Sequence, residues 1–202
     1  MRIFLCDVGN IPQDVLKKAA ERLPASRSPK EGVRADAFAA RVAGTLLATY
    51  AMRQISPESV CDIWGTTAEG KPFIQDCPVA FSITHADGIV GVAASENHPV
   101  GLDIEKVHPM RDGFAKRYFS EREQDEINAA SNPDEALIRL WTAKEAVGKY
   151  NGTGLGADIA AIDTRNAVST VFERNGVRFA LSLAPKDVLP ALEWVDFSKL
   201  VP

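Results

Sequence analysis

The segment from Val79 to Ser95 constrains the fold most, because its pattern is typical of two strands joined by a tight turn. Apolar and polar residues alternate in PVAFSITH, and IVGVAAS comes after Asp87-Gly88. An Asp-Gly pair between two such runs is a strong signal for a hairpin turn. The sequence therefore predicts a β-hairpin in the middle of the chain.

The other elements are predicted from hydrophobic periodicity. Apolar residues recur at helical spacing from about Arg34 to Gln54, and Pro57 ends this helix. Further strands are predicted at residues 2–8, 100–107, 168–172 and 177–183, and further helices at 13–22, 114–130 and 134–150. The helices are too few and too unevenly placed for regular βαβ alternation, so the predicted class is α+β.

The predicted elements divide the chain into two halves of similar content. A chain of 202 residues can form one domain or two of about 100 residues each. Each half contains a long helix and several strands, with the join near Asn97 to Val100. We therefore expect an N-terminal α+β half at 1–97 and a C-terminal α+β half at 98–202.

Composition excludes several classes of function. The net charge of −4 argues against a nucleic-acid binder with a strongly basic surface. No run approaches the roughly 18 apolar residues of a membrane helix. The apolar start of the chain is soon interrupted by Asp7 and shows no cleavage pattern, so a cytoplasmic protein is expected. Cys6, Cys61 and Cys77 form no CxxC pair and are expected to be reduced, buried thiols.

Two acidic residues are predicted on one face of the strand VGLDIEKV. Side chains alternate along a strand, so Gly101, Asp103 and Glu105 share a face. Two carboxylates at this spacing can reach one hard cation such as Mg²⁺, and Gly101 leaves room for a bulky group. A half-buried strand with a solvated acidic face explains the same pattern.

A second pattern of charged residues lies on the helix predicted at 134–150. Trp141, Glu145 and Lys149 are spaced four apart and form one stripe. A surface salt bridge explains Glu145 and Lys149, whereas Trp141 suggests that part of the stripe lines a cleft. Gly152 and Gly154 resemble part of a phosphate loop, but a C-cap turn explains them equally well.

Taken together, five motifs resemble those of the 4′-phosphopantetheinyl transferase superfamily, in its larger surfactin-synthetase-activating type. Their order and spacing along this chain match that family from about residue 70 to 155. The motifs are GKP (Gly70 to Pro72), FSITH (Phe81 to His85), GLDIE (Gly101 to Glu105), RYFSEREQD (Arg117 to Asp125) and WTAKEAVGKYNGTGL (Trp141 to Leu155).

The resemblance implies a fold and a reaction. The fold is a pseudo-twofold pair of similar α+β halves with coenzyme A between them. The reaction moves the 4′-phosphopantetheine arm of coenzyme A to a serine of an apo acyl or peptidyl carrier protein, and it releases adenosine 3′,5′-bisphosphate. The resemblance also implies Mg²⁺ as the cofactor and a monomeric enzyme.

The resemblance also assigns roles to residues of this chain. Asp103, Glu105 and Glu145 would hold the magnesium, and Lys149 would hold a diphosphate oxygen. The base for the carrier serine is either Glu145 or a metal-bound water. Contacts to coenzyme A would come from further residues of both halves. These are Lys71, Pro72, Thr84, His85, Asp103 and Lys149.

Several other polar residues have competing explanations. Ser120 and Glu123 have the spacing of a helix capping box, while Glu123 also matches an acidic position near the family's site. Basic residues for the 3′-phosphate of coenzyme A are available at Arg27, Lys30, Arg34 and Arg41. A basic surface for an acidic carrier could come from the second half. The candidates are Arg117, Arg122, Arg139 and Lys144.

Two alternatives stay open at the level of sequence. A magnesium-dependent hydrolase of a nucleotide diphosphate would use the same acids without a protein partner. A non-catalytic coenzyme A-binding relative would keep the fold without turnover. The intact set of Asp103, Glu105, Glu145 and Lys149 argues against the second. Which carrier protein and which pathway are served is not encoded in any recognisable motif.

Overall fold

A computed structural model describes residues 1–59, 62–96, 98–154 and 158–201. Cys61, Asn97 and Leu155, for which the sequence made predictions, lie outside the described residues. The chain divides into two compact units, and the first comprises Met1–Val100 with Pro190–Pro202. The second unit comprises Gly101–Leu189. The predicted C-terminal half extended to residue 202, whereas the tail groups with the first unit.

Strands and helices follow one another along the chain without regular βαβ alternation, which agrees with the predicted α+β class. Nine strands and five α-helices fall within the described residues, in addition to short 3-10 turns. In chain order they are β1 (Arg2–Asp7), α1 (Gln13–Ala20), α2 (Ala35–Ile55), β2 (Trp64–Thr66), β3 (Pro72–Ile74), β4 (Val79–Ala86), β5 (Ile89–Glu96), β6 (Gly101–Lys106), α3 (Phe114–Tyr118), α4 (Glu121–Ala129), α5 (Pro133–Asn151), β7 (Val168–Arg174), β8 (Val177–Ala184) and β9 (Leu192–Trp194).

The first unit contains a four-stranded sheet in the order β4-β5-β1-β9. The predicted hairpin is confirmed: β4 and β5 pair antiparallel, and Asp87 and Gly88 both have positive φ between them. Helix α2 packs on this sheet through buried small and aliphatic residues such as Val42 and Leu47. Strands β2 and β3 form a separate antiparallel pair.

The C-terminal tail belongs to the first unit because of strand β9. Its residues pair in parallel with β1, with Phe4 opposite Glu193. Val195, Phe197 and Leu200 then enter the same hydrophobic core as Phe4. The sequence did not reveal this strand, since it is three residues long and its partner lies at the opposite end of the chain.

The second unit contains a three-stranded antiparallel sheet in the order β6-β8-β7. The predicted tail strands are confirmed as β7 and β8, and Asn175-Gly176 joins them with positive φ at both residues. Helix α5 packs on β6 and β8. Its ends obey ordinary capping rules: the Asn132 side chain accepts from Glu135 N, and Gly152 adopts the left-handed conformation at the C-cap.

The helix predicted at 114–130 is wrong in one respect. The structure contains two helices, α3 and α4, because Phe119 takes an extended conformation between them. Ser120 is the N-cap of α4, and its side chain accepts from Glu123 N while the Glu123 side chain accepts from Ser120 N. This confirms the predicted capping box, which was also the signal for the break.

Gly101 lets α5 lie directly against β6. A Cβ atom at this position would overlap the Ala146 carbonyl oxygen and would lie 2.5 Å from the Tyr150 backbone nitrogen. The expectation that Gly101 leaves room for a bulky ligand is therefore wrong. The helix backbone occupies that room.

The cysteines differ from the expectation at one described position. Cys6 is a free, buried thiol, and burial raises its pKa to about 12, with Asp196 and Asp7 adding to the shift. Cys77 is disulfide-bonded, which contradicts the expected reduced state. Sequence spacing does not reveal such a bond, because bridging depends on distance in space.

The helices are not of the membrane-spanning kind. In the described part of the chain, none is both long enough and apolar enough to cross a bilayer.

We predict that Gly101→Ala lowers the free energy of unfolding by roughly 2–3 kcal/mol, because the new methyl group forces α5 away from β6. Urea unfolding monitored by circular dichroism measures the loss. Gly9→Ala is the matched control, since a Cβ there meets only ordinary contacts at 3.6 and 3.8 Å. Equal stability of the two variants would contradict the packing at Gly101.

Candidate active site

Strand β6 holds Asp103 and Glu105 on the face that Gly101 presents to α5. The register with β8 places Asp103 opposite Ser182 and Glu105 opposite Ala180. Asp103 is 4% exposed, whereas Glu105 is half-buried. Leu102 and Ile104, on the alternate face, are fully buried. The predicted alternation of side chains along this strand is confirmed.

Helix α5 brings Lys149 to this face of the strand. Lys149 Nζ donates to Asp103 Oδ1 at 2.6 Å and to the Leu102 carbonyl oxygen at 3.2 Å. The spacing in the sequence was equally compatible with a surface salt bridge between Glu145 and Lys149. Instead, Lys149 forms its ion pair with Asp103, across on β6.

The three carboxylates of the predicted set influence one another. Burial raises the pKa of Glu105 to about 7, and the charges of Asp103 and Glu145 raise it further, while Lys149 and His108 oppose the shift. Burial also raises the pKa of Glu145, with Asp103 as the next cause. Asp103, Glu105 and Glu145 therefore lie within electrostatic range of one another in a partly desolvated place.

Carboxylate oxygens are the type of ligand that a hard divalent cation prefers, although the three carboxylates are not already arranged around one metal position. Among the residues that the structure describes, no group of three His, Cys, Asp or Glu side chains is arranged to hold a metal ion. Mg²⁺ prefers oxygen ligands and commonly takes one or two carboxylates, with substrate phosphates and water completing its shell. Asp103, Glu105 and Glu145 carry oxygens of this kind, and their role as ligands of a metal whose coordination the substrate would complete stays a prediction.

Glu123 lies in a buried network of its own. It is 1% exposed, and its carboxylate accepts from Lys144 Nζ at 3.0 Å and from Thr164 Oγ1 at 2.8 Å. Burial by itself would raise the pKa of Glu123, but hydrogen bonds from Ser120, Lys144 and Thr164 outweigh it and hold the pKa below its usual value. The residue is thus anchored as a structural carboxylate.

Lys144 was predicted as a surface charge for a carrier protein, and this is wrong. The side chain is 0% exposed. Besides Glu123, its ammonium group donates to the carbonyl oxygens of Ile159, Ala160 and Ile162. Its neighbours one turn away, Leu140 and Gly148, are buried, and this apolar surrounding is the signal that could have predicted an inward-facing lysine.

The other basic candidates of the second unit remain at least partly exposed. Arg122 and Arg139 both pair with Glu126. Arg117 lies over the Tyr118 ring at 5.1 Å. Trp141, which was expected to line a cleft, packs edge-on against Phe114 in an aromatic cluster with Tyr118 and Phe119.

The predicted coenzyme A contacts at Lys71 and Pro72 lie in the first unit. Both line a cavity of about 430 Å³, together with His98 and Pro99. Lys71 Nζ donates to the Val100 carbonyl oxygen at 3.1 Å. Their contact with coenzyme A stays a prediction.

Thr84 and His85 are neighbours on β4 and therefore project to opposite faces of the sheet. Thr84 is buried, whereas His85 is exposed and lines a second cavity of about 640 Å³ beside Asp87 and Gly88. A joint contact of the two side chains with the coenzyme A phosphates was implied by the family resemblance, and it stays a prediction.

Arg41, on α2, ties the helix to the segment before it. Its guanidinium donates to the backbone oxygens of Arg27 at 3.0 Å and Ser26 at 3.1 Å. Arg34, at the start of α2, pairs with Asp36. Both arginines are thus engaged in contacts within the first unit, and their role toward the 3′-phosphate stays a prediction.

Comparison with known proteins identifies the family. The family model described as the 4′-phosphopantetheinyl transferase superfamily matches residues 99–187, which cover almost the whole second unit. The 4′-phosphopantetheinyl transferase of Bacillus pumilus is 30% identical over 176 residues, which span 82% of this chain and 75% of that protein. This chain therefore belongs to the 4′-phosphopantetheinyl transferase superfamily, as its motifs predicted.

Other relatives match over a smaller share of their length. The 4′-phosphopantetheinyl transferase Sfp of Bacillus subtilis is 31% identical over 133 residues, covering 64% of this chain and 59% of that protein. The L-aminoadipate-semialdehyde dehydrogenase-phosphopantetheinyl transferase of Saccharomyces cerevisiae is 31% identical over 140 residues, covering 63% and 50%. The chain thus spans less than two thirds of the length of these two relatives.

A solved structure also matches in part. The holo-[acyl-carrier-protein] synthase of Thermotoga maritima matches with a TM-score of 0.33 and 22% identity, covering 44% of this chain and 64% of that one.

We predict that the metal-free protein loses stability as the pH rises from about 5 to about 8. The folded state keeps a proton on Glu105 up to about pH 7, whereas the unfolded chain releases it near its ordinary pKa of 4.5. The folded state therefore binds more protons in this window, and its stability falls by roughly 1 kcal/mol, which is less than the full shift would give because solvent screens this partly exposed group.

Urea midpoints measured across this pH range in the presence of a chelator test the effect. Glu105→Gln carries no titrating group at this position, so its profile should be flatter than that of the wild type. The same slope in both proteins would show that the pKa of Glu105 is not shifted.

We also predict that Glu123→Ala costs about 3–5 kcal/mol of stability, because Lys144 would stay buried without its counter-charge. Denaturant unfolding measures the loss. Glu121→Ala, an exposed carboxylate of the same helical turn, is the control and should stay within about 0.5 kcal/mol of the wild type. If Glu123→Ala lost no more stability than Glu121→Ala, the buried ion pair would contribute little to the stability of the fold.

Proposed function

We propose that the chain transfers the 4′-phosphopantetheine arm of coenzyme A to a serine of an apo acyl or peptidyl carrier protein. The reaction would depend on Mg²⁺ and release adenosine 3′,5′-bisphosphate. The observation that carries the proposal is the convergence of Asp103, Glu105, Glu145 and Lys149 within the segment that the family model matches.

The residue types suit the charge problem of the reaction. A diphosphate repels an approaching oxygen nucleophile, and positive charge near its oxygens reduces this repulsion. When bound by Asp103, Glu105 and Glu145, magnesium would supply Lewis-acid stabilisation of the diphosphate charge. Lys149 donates to Asp103 Oδ1 and to the Leu102 carbonyl oxygen, and from this position it would hold a diphosphate oxygen.

Glu145 is the proposed base for the carrier serine, a role that requires it to hold the magnesium only weakly, because a firmly ligated carboxylate is a poor base. Burial raises the pKa of its carboxyl group, and Asp103 raises it further. A carboxylate whose pKa lies closer to neutrality accepts a proton more readily than an ordinary glutamate. The proton would pass from the serine hydroxyl to Glu145 while the serine oxygen attacks the β-phosphorus and the bond to the nucleotide phosphate breaks.

Glu123 is not proposed as a second base. Its carboxylate is occupied by Ser120, Lys144 and Thr164, and its pKa is held low. Its proposed role is to fix Lys144 and thereby the segment at 159–162 on α5.

The working state of the protein is proposed to be a monomer in the cytoplasm. It would bind coenzyme A through Lys71, Pro72, Thr84 and His85, with Arg41 as a further candidate. The disulfide at Cys77 is unusual for a reducing compartment. Counting thiols with and without reductant in freshly purified protein measures whether it forms there.

Intact mass spectrometry tests the transferase function directly. The protein is incubated with coenzyme A, Mg²⁺ and a panel of apo carrier proteins. We expect one or more carriers to gain the mass of a single phosphopantetheine group, and the gain to disappear with a chelator. Hydrolysis of coenzyme A without a mass gain would favour the hydrolase alternative. Bound coenzyme A with neither change would favour the non-catalytic relative.

We predict that Asp103→Asn and Glu145→Gln each lower the transfer rate by roughly 10²-fold or more while the folded state persists. Both changes keep the side-chain shape and remove one carboxylate charge. Glu121→Gln removes the same charge from an exposed position and serves as the control. Wild-type rates in either site variant at saturating Mg²⁺ would refute the assignment of that residue.

A further inference from the structure

A row of polar side chains crosses the sheet of the second unit at the level of Asp103. The strand register places Ser182 on β8 opposite Asp103 on β6, and Ser169 on β7 opposite Ser182. Residues directly opposite each other on neighbouring strands lie on the same face of a sheet. The two serines therefore share the face of Asp103, on which α5 packs and to which Lys149 donates.

Thr142, on α5, connects the helix to this row through a chain of hydrogen bonds. Its hydroxyl group donates to the Arg139 carbonyl oxygen at 2.9 Å, so its single hydrogen is used there. Ser182 therefore donates to Thr142 over the 2.7 Å between their oxygens, and Ser169 donates to Ser182 over 2.8 Å. The contact of Ser182 Oγ with the same Arg139 oxygen is longer, at 3.5 Å. We call Thr142, Ser182 and Ser169 the hydroxyl chain.

The hydroxyl chain lies in a buried place where it contributes little to stability. Thr142 and Ser182 are each 0% exposed, whereas Ser169 is half-buried. A buried hydrogen bond adds little net stability, because folding exchanges it for hydrogen bonds that the same groups made with water. Apolar groups of the same shape would fill the space at a similar free energy. Stability by itself therefore does not account for these three side chains.

Hydrogen bonds fix the position of the helix along its axis. Ala143, Ala146 and Val147 pack α5 into its core, and such small aliphatic side chains set the distance between helix and sheet rather than the position along the axis. A hydrogen bond accepts only a narrow range of distances and angles. A slide of α5 by one residue would move Glu145 and Lys149 by about 1.5 Å along β6, and a misplacement of about 1 Å can lower a rate by about 10²-fold.

We propose that Thr142 and Ser182 are positioning residues of the candidate active site. Their hydrogen bond fixes α5 along its axis and thereby sets Glu145 and Lys149 against Asp103 on β6. Their role in turnover rests on the proposed transferase function, whereas their role in the geometry of the four charged side chains does not.

The double variant Thr142→Val with Ser182→Ala tests the role in turnover, because it removes the bond and leaves both positions apolar. Ser169 keeps water as a partner, since it lines a cavity of about 170 Å³. We expect the urea midpoint to stay close to that of the wild type. The kcat for phosphopantetheine transfer should fall by roughly 10- to 10²-fold, with an unchanged KM for coenzyme A.

Two matched single variants are the controls for this measurement. Thr142→Ser keeps the hydroxyl group, and Ser169→Ala removes the end of the hydroxyl chain without touching the bond between Thr142 and Ser182. Both should keep the kcat of the wild type. An unchanged kcat in the double variant, or a loss of kcat that the urea midpoint follows, overturns the proposal and leaves the hydroxyl chain a purely structural role.

The ammonium group of Lys149 tests the geometry without turnover. In isotope-labelled, metal-free protein, NMR measures how fast its protons exchange with water, and Lys149→Ala identifies the signal. We expect severalfold faster exchange in the double variant, because the contacts of Lys149 with Asp103 and the Leu102 carbonyl oxygen loosen when α5 slides. Equal exchange in the double variant and the wild type overturns the proposal. Faster exchange in a protein that modifies no carrier supports the positioning role and refutes the transferase function alone.

Discussion

The contact between the backbone of α5 and strand β6 at Gly101 is the constraint on which the candidate active site depends. The Ala146 carbonyl oxygen and the Tyr150 nitrogen occupy the space that a side chain at residue 101 would fill. Glu145 and Lys149 flank this contact along the helix. Because the helix lies so close, Lys149 reaches Asp103 at 2.6 Å, and Glu145 adds its charge to the field at Glu105. A glycine without any catalytic atom thus sets the geometry of four charged side chains.

A second interaction holds the same helix from its other side. Lys144 is buried against Glu123, which is also the N3 residue of the α4 capping box. The ammonium group also donates hydrogen bonds to three carbonyl oxygens of residues 159–162. Two consecutive residues of α5 therefore point in different directions. Lys144 binds the helix to Glu123 and to residues 159–162, and Glu145 faces strand β6. The buried pair fixes the rotation of α5 about its axis, which decides which side chains point to β6.

Short-range patterns in the sequence were enough to predict part of the fold and part of the candidate site. The Asp87-Gly88 hairpin, the alternation of Asp103 with Ile104, the spacing of Glu145 and Lys149 and the Ser120–Glu123 capping box all depend on residues close together in the chain. Predictions failed where distant segments meet. The pairing of β9 with β1, the helix backbone at Gly101 and the carbonyl cage of Lys144 each join residues far apart in sequence.

The balance of charge in the candidate site argues for a ligand with both signs. Three carboxyl groups and one ammonium group share a partly buried place, where burial and mutual repulsion raise the pKa of Glu105 to about 7 and also raise that of Glu145. A site for an anion alone would not gather three carboxylates, since they repel it. A site for a cation alone would gain nothing from Lys149, which repels the cation and competes for Asp103. The proposed complex of a divalent metal with a diphosphate would satisfy both, since the carboxylates would hold the metal and Lys149 would hold a phosphate oxygen. The described carboxylates form no closed three-ligand group, and the proposed complex would not need one, because a diphosphate would contribute its own oxygens to the metal.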